Sequence, residues 1–299
     1  MHRENPQLWN RQFWLAALLA GCSTSAELTV GPTTAIGTQS TEAVAGNAKS
    51  AQGDSTNQSP LEGKLVDLSY AFDADTIYWP TEQGFRFEKG NNGVTSKGYY
   101  YAANRFTTAE HGGTHLDAPI HFAADHDTAE QIDLQRLLGE AAVVDVTEQC
   151  RANPDYLIGV ADLRDWEVRH NRQFDQVIVL LRTGWSKHWP DRLKYLGTAA
   201  FGPEAVSQLH FPGLAPEAAK WLVEHRQIKA IGIDTASIDY GQSSQFESHV
   251  ILCGHDVPIF ENVMNLDQLP AEKSLVIALP MKIAGGSGGP LRMIAIVRE

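Results

Sequence analysis

Between positions 111 and 121 the chain reads His111-Gly-Gly-Thr-His115-Leu-Asp117-Ala-Pro-Ile-His121, so three of its eleven histidines and one aspartate fall within eleven residues. Imidazole and carboxylate together are the donor set of zinc and manganese sites, and so dense a cluster is hard to attribute to chance. A His-x-x-x-His pair can share one face of a helix, as in zinc proteases. That reading fails here, because Gly112, Gly113 and Thr114 are poor helix formers and Pro119 would break any helix beyond them. A glycine-rich loop running into extended backbone fits better. Side chains alternate along extended backbone, so His115 and Asp117 point to the same side, and His111 from the loop can join them on one ion. His121 lies beyond the bend at Pro119. It need not be a ligand and can serve as a general base near a metal-activated water.

Other reactive residue types are less informative. Gly285-Gly-Ser287-Gly-Gly289 satisfies the G-x-S-x-G pattern of a nucleophile elbow, but an elbow needs a following helix and later Asp and His residues. Here Pro290 and a strand-like run come next, and no Asp or His occurs after Ser287. Ser287 is therefore not read as a nucleophile, and the glycines are expected to let backbone approach closely. Cys150 and Cys253 read as buried apolar residues rather than nucleophiles. His255-Asp256, directly after Gly254, reads as a turn rather than a ligand pair. Tyr99-Tyr100-Tyr101 either lines a pocket or packs core aromatics at a strand edge.

The spacing His111-x-x-x-His115-x-Asp117-x-x-x-His121 resembles the signature of the metal-dependent cyclase family, which includes bacterial kynurenine formamidases and isatin hydrolases. Further blocks extend the resemblance in order: Tyr78-Trp79-Pro80, the segment from Gly232 to Asp239, His249 with Glu261 twelve residues later, residues 278–283, and Gly285 to Pro290. The resemblance implies roles for single residues. His111, His115 and Asp117 would hold a first divalent metal, zinc or manganese. Asp117 would bridge to a second ion completed by His249 and Glu261, giving one or two ions per chain. His121 would be the catalytic base or proton shuttle, and Trp79 would wall the substrate pocket. The implied activity is hydrolysis of the C–N bond of a small aromatic amide, of the arylformamidase type acting on N-formylkynurenine. Opening of isatin, a cyclic amide, is the alternative, and the long segment 75–109 looks more like the isatin hydrolases. The resemblance also implies an α/β fold, a mixed sheet-rich, barrel-like β/β/α domain with outer helices, and usually a homodimer. A catalytically silent, tethered metal- or ligand-binding protein is the rival from another class; the presence of both Asp117 and His121 speaks against it.

The elements that must position these residues are mostly strands. Residues 64–70 alternate apolar and polar, as a half-buried strand does. Residues 141–146, 177–181, 230–233, 275–279 and 293–297 are short apolar runs rich in Val and Ile, as in strands buried on both faces. Residues 216–227 carry Pro at the first turn and apolar residues on one side, which predicts a helix. A second, weaker helix is predicted over 128–138. Strands outnumber helices, which predicts a mixed α/β domain whose sheet closes toward a barrel with helices outside.

Composition bounds the rest. The 299 residues are 43% hydrophobic and 20% charged, as in globular chains, with 24 Lys and Arg against 36 Asp and Glu and a formal net charge of −12. No basic stripe is present, which argues against a nucleic-acid surface. Cys22, Cys150 and Cys253 cannot build a disulfide framework. No run of 18 apolar residues exists to span a bilayer. Arg3 and Arg11 precede a short apolar run that ends in Leu19-Ala-Gly-Cys22, which resembles a bacterial lipoprotein signal whose cysteine is lipidated. A plain secretory signal is the alternative. Residues 1–22 are thus expected to be a signal, the aromatic-free segment 23–60 a flexible linker, and 61–299 the hydrolase domain. This implies an exported protein, periplasmic or at the cell surface, that meets a membrane only through a lipid anchor at Cys22.

Overall fold

Strands that are apolar at every position must bury both faces. In the computed structural model, which describes residues 62–298, they do so by closing into a ring. The strands are β1 (Lys64–Asp67), β2 (His115–Asp117), β3 (Leu138–Asp145), β4 (Ile178–Arg182), β5 (Ala230–Ile233), β6 (Ile259–Glu261), β7 (Ser274–Pro280) and β8 (Gly288–Val297). Seven of them pair around the circle in the order β8-β7-β3-β4-β5-β6-β2 and back to β8, while β1 pairs with the far half of β8. The run from β3 through β4 and β5 to β6 is parallel, and the remaining pairs are antiparallel.

Alternation along each strand sorts the apolar runs into two clusters. Val143, Ile178, Leu180, Ala230, Phe260 and Met293 pack together inside the ring. Their neighbours Val144, Val179, Leu181, Ile231 and Ile233 face outward beneath the helices α1 (Val160–His170), α2 (Pro216–His225) and α3 (Glu247–Cys253), meeting Trp166, Leu222 and Leu252. The mixed, barrel-like α/β architecture expected from the sequence is the one observed. The signal-like segment ending at Cys22 and the linker 23–60 lie outside the described residues. Among the described residues, no helix is long and apolar enough to cross a membrane.

Two local expectations are corrected. The helix over 128–138 shrinks to the single turn Leu134–Leu137, capped by the Asp133 side chain, which accepts from the Gln135 N–H. The Gln131 side-chain oxygen accepts from both the backbone N–H and the hydroxyl of Thr128, a turn that competes with helix. Leu138 then pairs with Ile277 and draws the chain into β3. The tyrosine run neither lines the pocket nor packs in a core. Residues 86–107 form a two-stranded arm, Arg86–Glu88 against Arg105–Thr107 and Asn92–Val94 against Tyr100–Ala102, on which Tyr99, Tyr100 and Tyr101 are exposed. Cys150 and Cys253 are buried as expected, and burial pushes both thiols up to about 12, which keeps them protonated and inert.

Candidate metal centre

The site is built outward from β2. That strand lies between β6 and β8, with Glu261 opposite His115, Phe260 opposite Leu116 and Gly288 opposite Asp117. Leu116 and Phe260 fill the ring, so His115, Asp117 and Glu261 emerge on its outer side, where α3 brings His249. The loop before β2 delivers His111. Gly113 has φ +56°, and a β-carbon at Gly112 would lie 2.0 Å from the Tyr78 ring, so both positions require glycine. Thr114 donates its hydroxyl to the Asn262 carbonyl at 2.8 Å, and the Asn262 amide donates to the Gly113 carbonyl at 2.8 Å. The loop is thereby clamped to the end of β6.

Among the described residues, two groups have the spacing to hold a metal: His111, His115 and Asp117, and Asp117, His249 and Glu261. These are the five residues grouped from the sequence, and Asp117 is common to both sets. His111 Nδ1 lies 2.6 Å from Asp117 Oδ1, and His115 Nε2 lies 3.1 Å from the same oxygen and 3.5 Å from Glu261 Oε2. His249 Nε2 is 3.3 Å from Asp117 Oδ2 and 3.1 Å from Glu261 Oε1.

The outer nitrogens decide what these inner atoms can bind. His115 Nδ1 donates to the Gly113 carbonyl at 3.0 Å, and His249 Nδ1 donates to the Asp239 carboxylate at 2.6 Å. Both partners only accept, so a neutral ring keeps a lone pair on its inner nitrogen. Those lone pairs face carboxylate oxygens, which are also lone-pair donors. His115 Nε2 is buried and has no hydrogen-bond partner. Such an arrangement is stable only around cations, and a divalent metal held by imidazoles with fixed outer partners fits it.

Protons take that role in the metal-free centre. Burial opposes charge on His115, yet Asp117 and Glu261 raise its pKa to about 9; His249 is raised well above its usual range against the same burial, by hydrogen bonds to Asp117, Asp239 and Glu261. Despite burial, His115 and the other two histidines hold Asp117 well below the usual carboxylate range. Glu261 is raised by burial and by the charge on Asp117.

His121 stands apart. Pro119–His121 forms a turn of 3-10 helix, and the His121 ring stacks on His111 at 3.8 Å and 17°. It belongs to neither ligand group. Burial lowers its pKa to about 3 against the pull of Asp117, so its ring is neutral at working pH. A cavity of about 540 Å³ opens over these rings, walled by Ile77, Trp79, Phe122 and Phe246. Trp79 is half-buried and lies edge-on to Phe246 at 6.0 Å. Phe122 lies 4.5 Å from the His249 ring.

Three site residues carried no assigned role in the sequence. Phe246 sits at φ +50° immediately before α3, and nothing in its local pattern marks it. Phe122 comes directly after His121, a position that could have suggested a wall. Asp239 lies ten residues before His249, inside a block that matches the family, and that block was the one available signal. Ser287 has no elbow geometry; its hydroxyl lies 2.8 Å from His111 Nε2. A β-carbon at Gly288 would lie 2.7 Å from His111 Cε1, so the glycines do allow close approach. His255 donates locally to the Ile251 carbonyl and Asp256 pairs with His126, as expected of a turn.

Imidazoles and carboxylates converging on one point beneath an aromatic cavity are the working parts of the metal-dependent hydrolases. The family described as "Putative cyclase" matches residues 66–240, and the chain belongs to it. An isatin hydrolase of Roseibium aggregatum is 31% identical over 68% of this chain and 77% of that protein. A kynurenine formamidase of Erythrobacter litoralis is 29% identical over 79% of this chain and 94% of that one. Among solved structures, an isatin hydrolase bound to the product analogue thioisatinate is similar with a TM-score of 0.71 and 28% identity, covering 80% of this chain and 94% of that chain. Isatin hydrolase A from Ralstonia solanacearum has a TM-score of 0.71 and 32% identity, covering 79% and 92%.

Proposed function

We propose that the protein hydrolyses the C–N bond of an aryl amide, as an arylformamidase of the kind that acts on N-formylkynurenine. The observation that carries this reading is the set of inward imidazole nitrogens facing Asp117 and Glu261 beneath an aromatic cavity. His111, His115 and Asp117 would hold one zinc or manganese ion, and Asp117, His249 and Glu261 a second. Such an ion polarises a carbonyl and lowers the pKa of water toward neutrality. Trp79, Phe122 and Phe246 enclose the aryl ring. His121, neutral and stacked on His111, accepts the proton of the attacking water and returns it to the leaving nitrogen.

Isatin-type opening of a cyclic amide is the second reading. It is favoured by the isatin hydrolases above, and because segment 75–109 supplies Ile77, Tyr78, Trp79, Thr108 and Ala109 to the cavity wall. A panel of N-formylkynurenine, isatin and formanilide tests both. Turnover of at least one is expected, abolished by a chelator and restored by zinc or manganese. Metal-loaded protein inert on all three would leave the silent binding protein as the better reading.

Assembly and address rest on other features. The arm 86–107 exposes Phe87, Val94, Tyr99, Tyr100 and Phe106, and carries Arg86, Lys89, Lys97 and Arg105 against Glu88 in a chain of net charge −12. An apolar, basic arm on an acidic protein suits a second copy, which supports a homodimer. The lipobox-like Leu19-Ala-Gly-Cys22 supports a lipid anchor. Expressed in a bacterium with residues 1–60, the protein is expected to enter the detergent phase, and Cys22→Ser to stay aqueous. The mass of the 61–299 domain in solution is expected to be that of two copies. An aqueous, unlipidated wild type overturns the anchor, and a single-copy mass overturns the dimer.

A further inference from the structure

His111 is the least enclosed of the three inward-facing histidines, with a side chain 22% exposed against 3% for His115 and 5% for His249. His115 is aimed by a backbone carbonyl and His249 by Asp239. What aims His111 comes from the other end of the chain. The segment Gly285-Gly-Ser287-Gly-Gly289, which forms no nucleophile elbow, crosses the loop that carries His111. Its Ser287 carbonyl accepts from the Ala118 N–H at 2.8 Å, which registers it against the end of β2. Both the backbone N–H and the hydroxyl of Ser287 donate to Glu110 Oε2, at 2.9 and 2.6 Å.

These contacts settle the direction of the bond to His111. A carboxylate can only accept, so the single hydroxyl hydrogen of Ser287 goes to Glu110. The Ser287 oxygen then has only lone pairs for His111 Nε2 at 2.8 Å, and Nε2 must carry a hydrogen. In the neutral ring that a metal requires, Nδ1 then keeps the lone pair, on the side of the ring that lies 2.6 Å from Asp117 Oδ1. We infer that Ser287 and Glu110 act as one positioning pair that fixes the tautomer and tilt of His111 and so presents Nδ1 to the metal. The neighbouring glycines permit the fit, since β-carbons at Gly286 and Gly288 would lie 2.9 Å from Glu110 Oε1 and 2.7 Å from His111 Cε1. Glu110 also lines the cavity, but the Ser287 hydroxyl meets His111 at its outer nitrogen, so the pair acts on the centre through His111. The inference rests on the reading of His111 as a ligand.

The test is zinc affinity of the full-length protein, measured by competition with a chromophoric chelator. Wild type, Ser287→Ala, Glu110→Gln, the double variant and Ser287→Thr are compared, with thermal unfolding of the metal-stripped forms as the check on folding. Outer partners of metal-bound histidines typically contribute about 10–100-fold in affinity, and each single change is expected to weaken zinc by about that much. Because the two residues form one chain of bonds, the double variant should bind no more weakly than the weaker single one. Ser287→Thr, which keeps the hydroxyl, should restore most of the affinity. Wild-type affinity in Ser287→Ala overturns the inference, as does a double variant in which the two losses multiply. Wild-type protein that binds no zinc overturns the ligand reading beneath it, which is a separate failure.

Discussion

Asp117→Asn is expected to strip the centre of metal more completely than any other single change. Asp117 is buried, lies against His111, His115 and His249, and is the residue shared by both ligand sets. Loss of an outer partner typically costs about 10–100-fold in metal affinity, so loss of a shared inner charge should cost more than that. His249→Ala and Glu261→Ala should remove the second ion and spare the first. Bound zinc and manganese, counted by mass spectrometry across these variants, check this. An Asn variant loaded like the wild type overturns it. A wild type with one ion, unaffected by the last two changes, removes the second site and leaves the hydrolase reading in place.

The same measurement has a pH dependence of known sign. His115, with a pKa of about 9, and His249 hold protons in the metal-free centre at neutral pH, and a metal must displace them. Affinity should therefore rise with pH through the neutral range, and loading should release protons. Because the folded pKa of His115 exceeds its ordinary 6.5, its protonation stabilises the metal-free fold fully below about pH 6.5, and that stabilisation is lost as pH rises through about 9.

His121→Ala should show the opposite pattern, with metal retained and turnover lost. The ring lies outside both ligand sets, stacked on His111, and is neutral over the working range because its pKa is about 3. General acid–base groups typically contribute about 10²–10⁴-fold, and kcat should fall by that factor with KM little changed. The acid limb of the pH–rate profile should then persist in the variant, because it arises from proton displacement of metal at His115 and His249 rather than from His121. A variant that loses metal makes His121 a ligand; one that keeps full activity places the base elsewhere.

Residues 111–121 were legible in the sequence because local covalent geometry governs them. Alternation along extended backbone places His115 and Asp117 on one side whatever surrounds them, glycine permits the turn at Gly113, and Pro119 bends the chain before His121. The buried strands and the helix beginning at Pro216 were legible for a similar reason, since a side-chain period is a local property that burial merely reveals. The 128–138 segment misled because the Gln131 side chain accepts from the Thr128 N–H and Asp133 from the Gln135 N–H in local turns, and because pairing of Leu138 in the sheet outweighed a modest helical preference. The tyrosine run misled because its aromatic composition suggests burial, while the arm that carries it has no covering layer within the described chain.

His249 and Glu261 were found through resemblance, and their geometry depends on ring closure. A three-residue strand such as β2 persists because β6 and β8 pair with both of its edges, and those pairings bring Glu261 and Gly288 beside it. The sequence alone determined that a metal-type donor set would form and which way its core residues would point. The tertiary structure decided which nitrogen of each histidine faces inward. That choice belongs to outer partners such as Asp239 and Ser287, and for His111 the partner lies 176 residues away, beyond the reach of any local pattern.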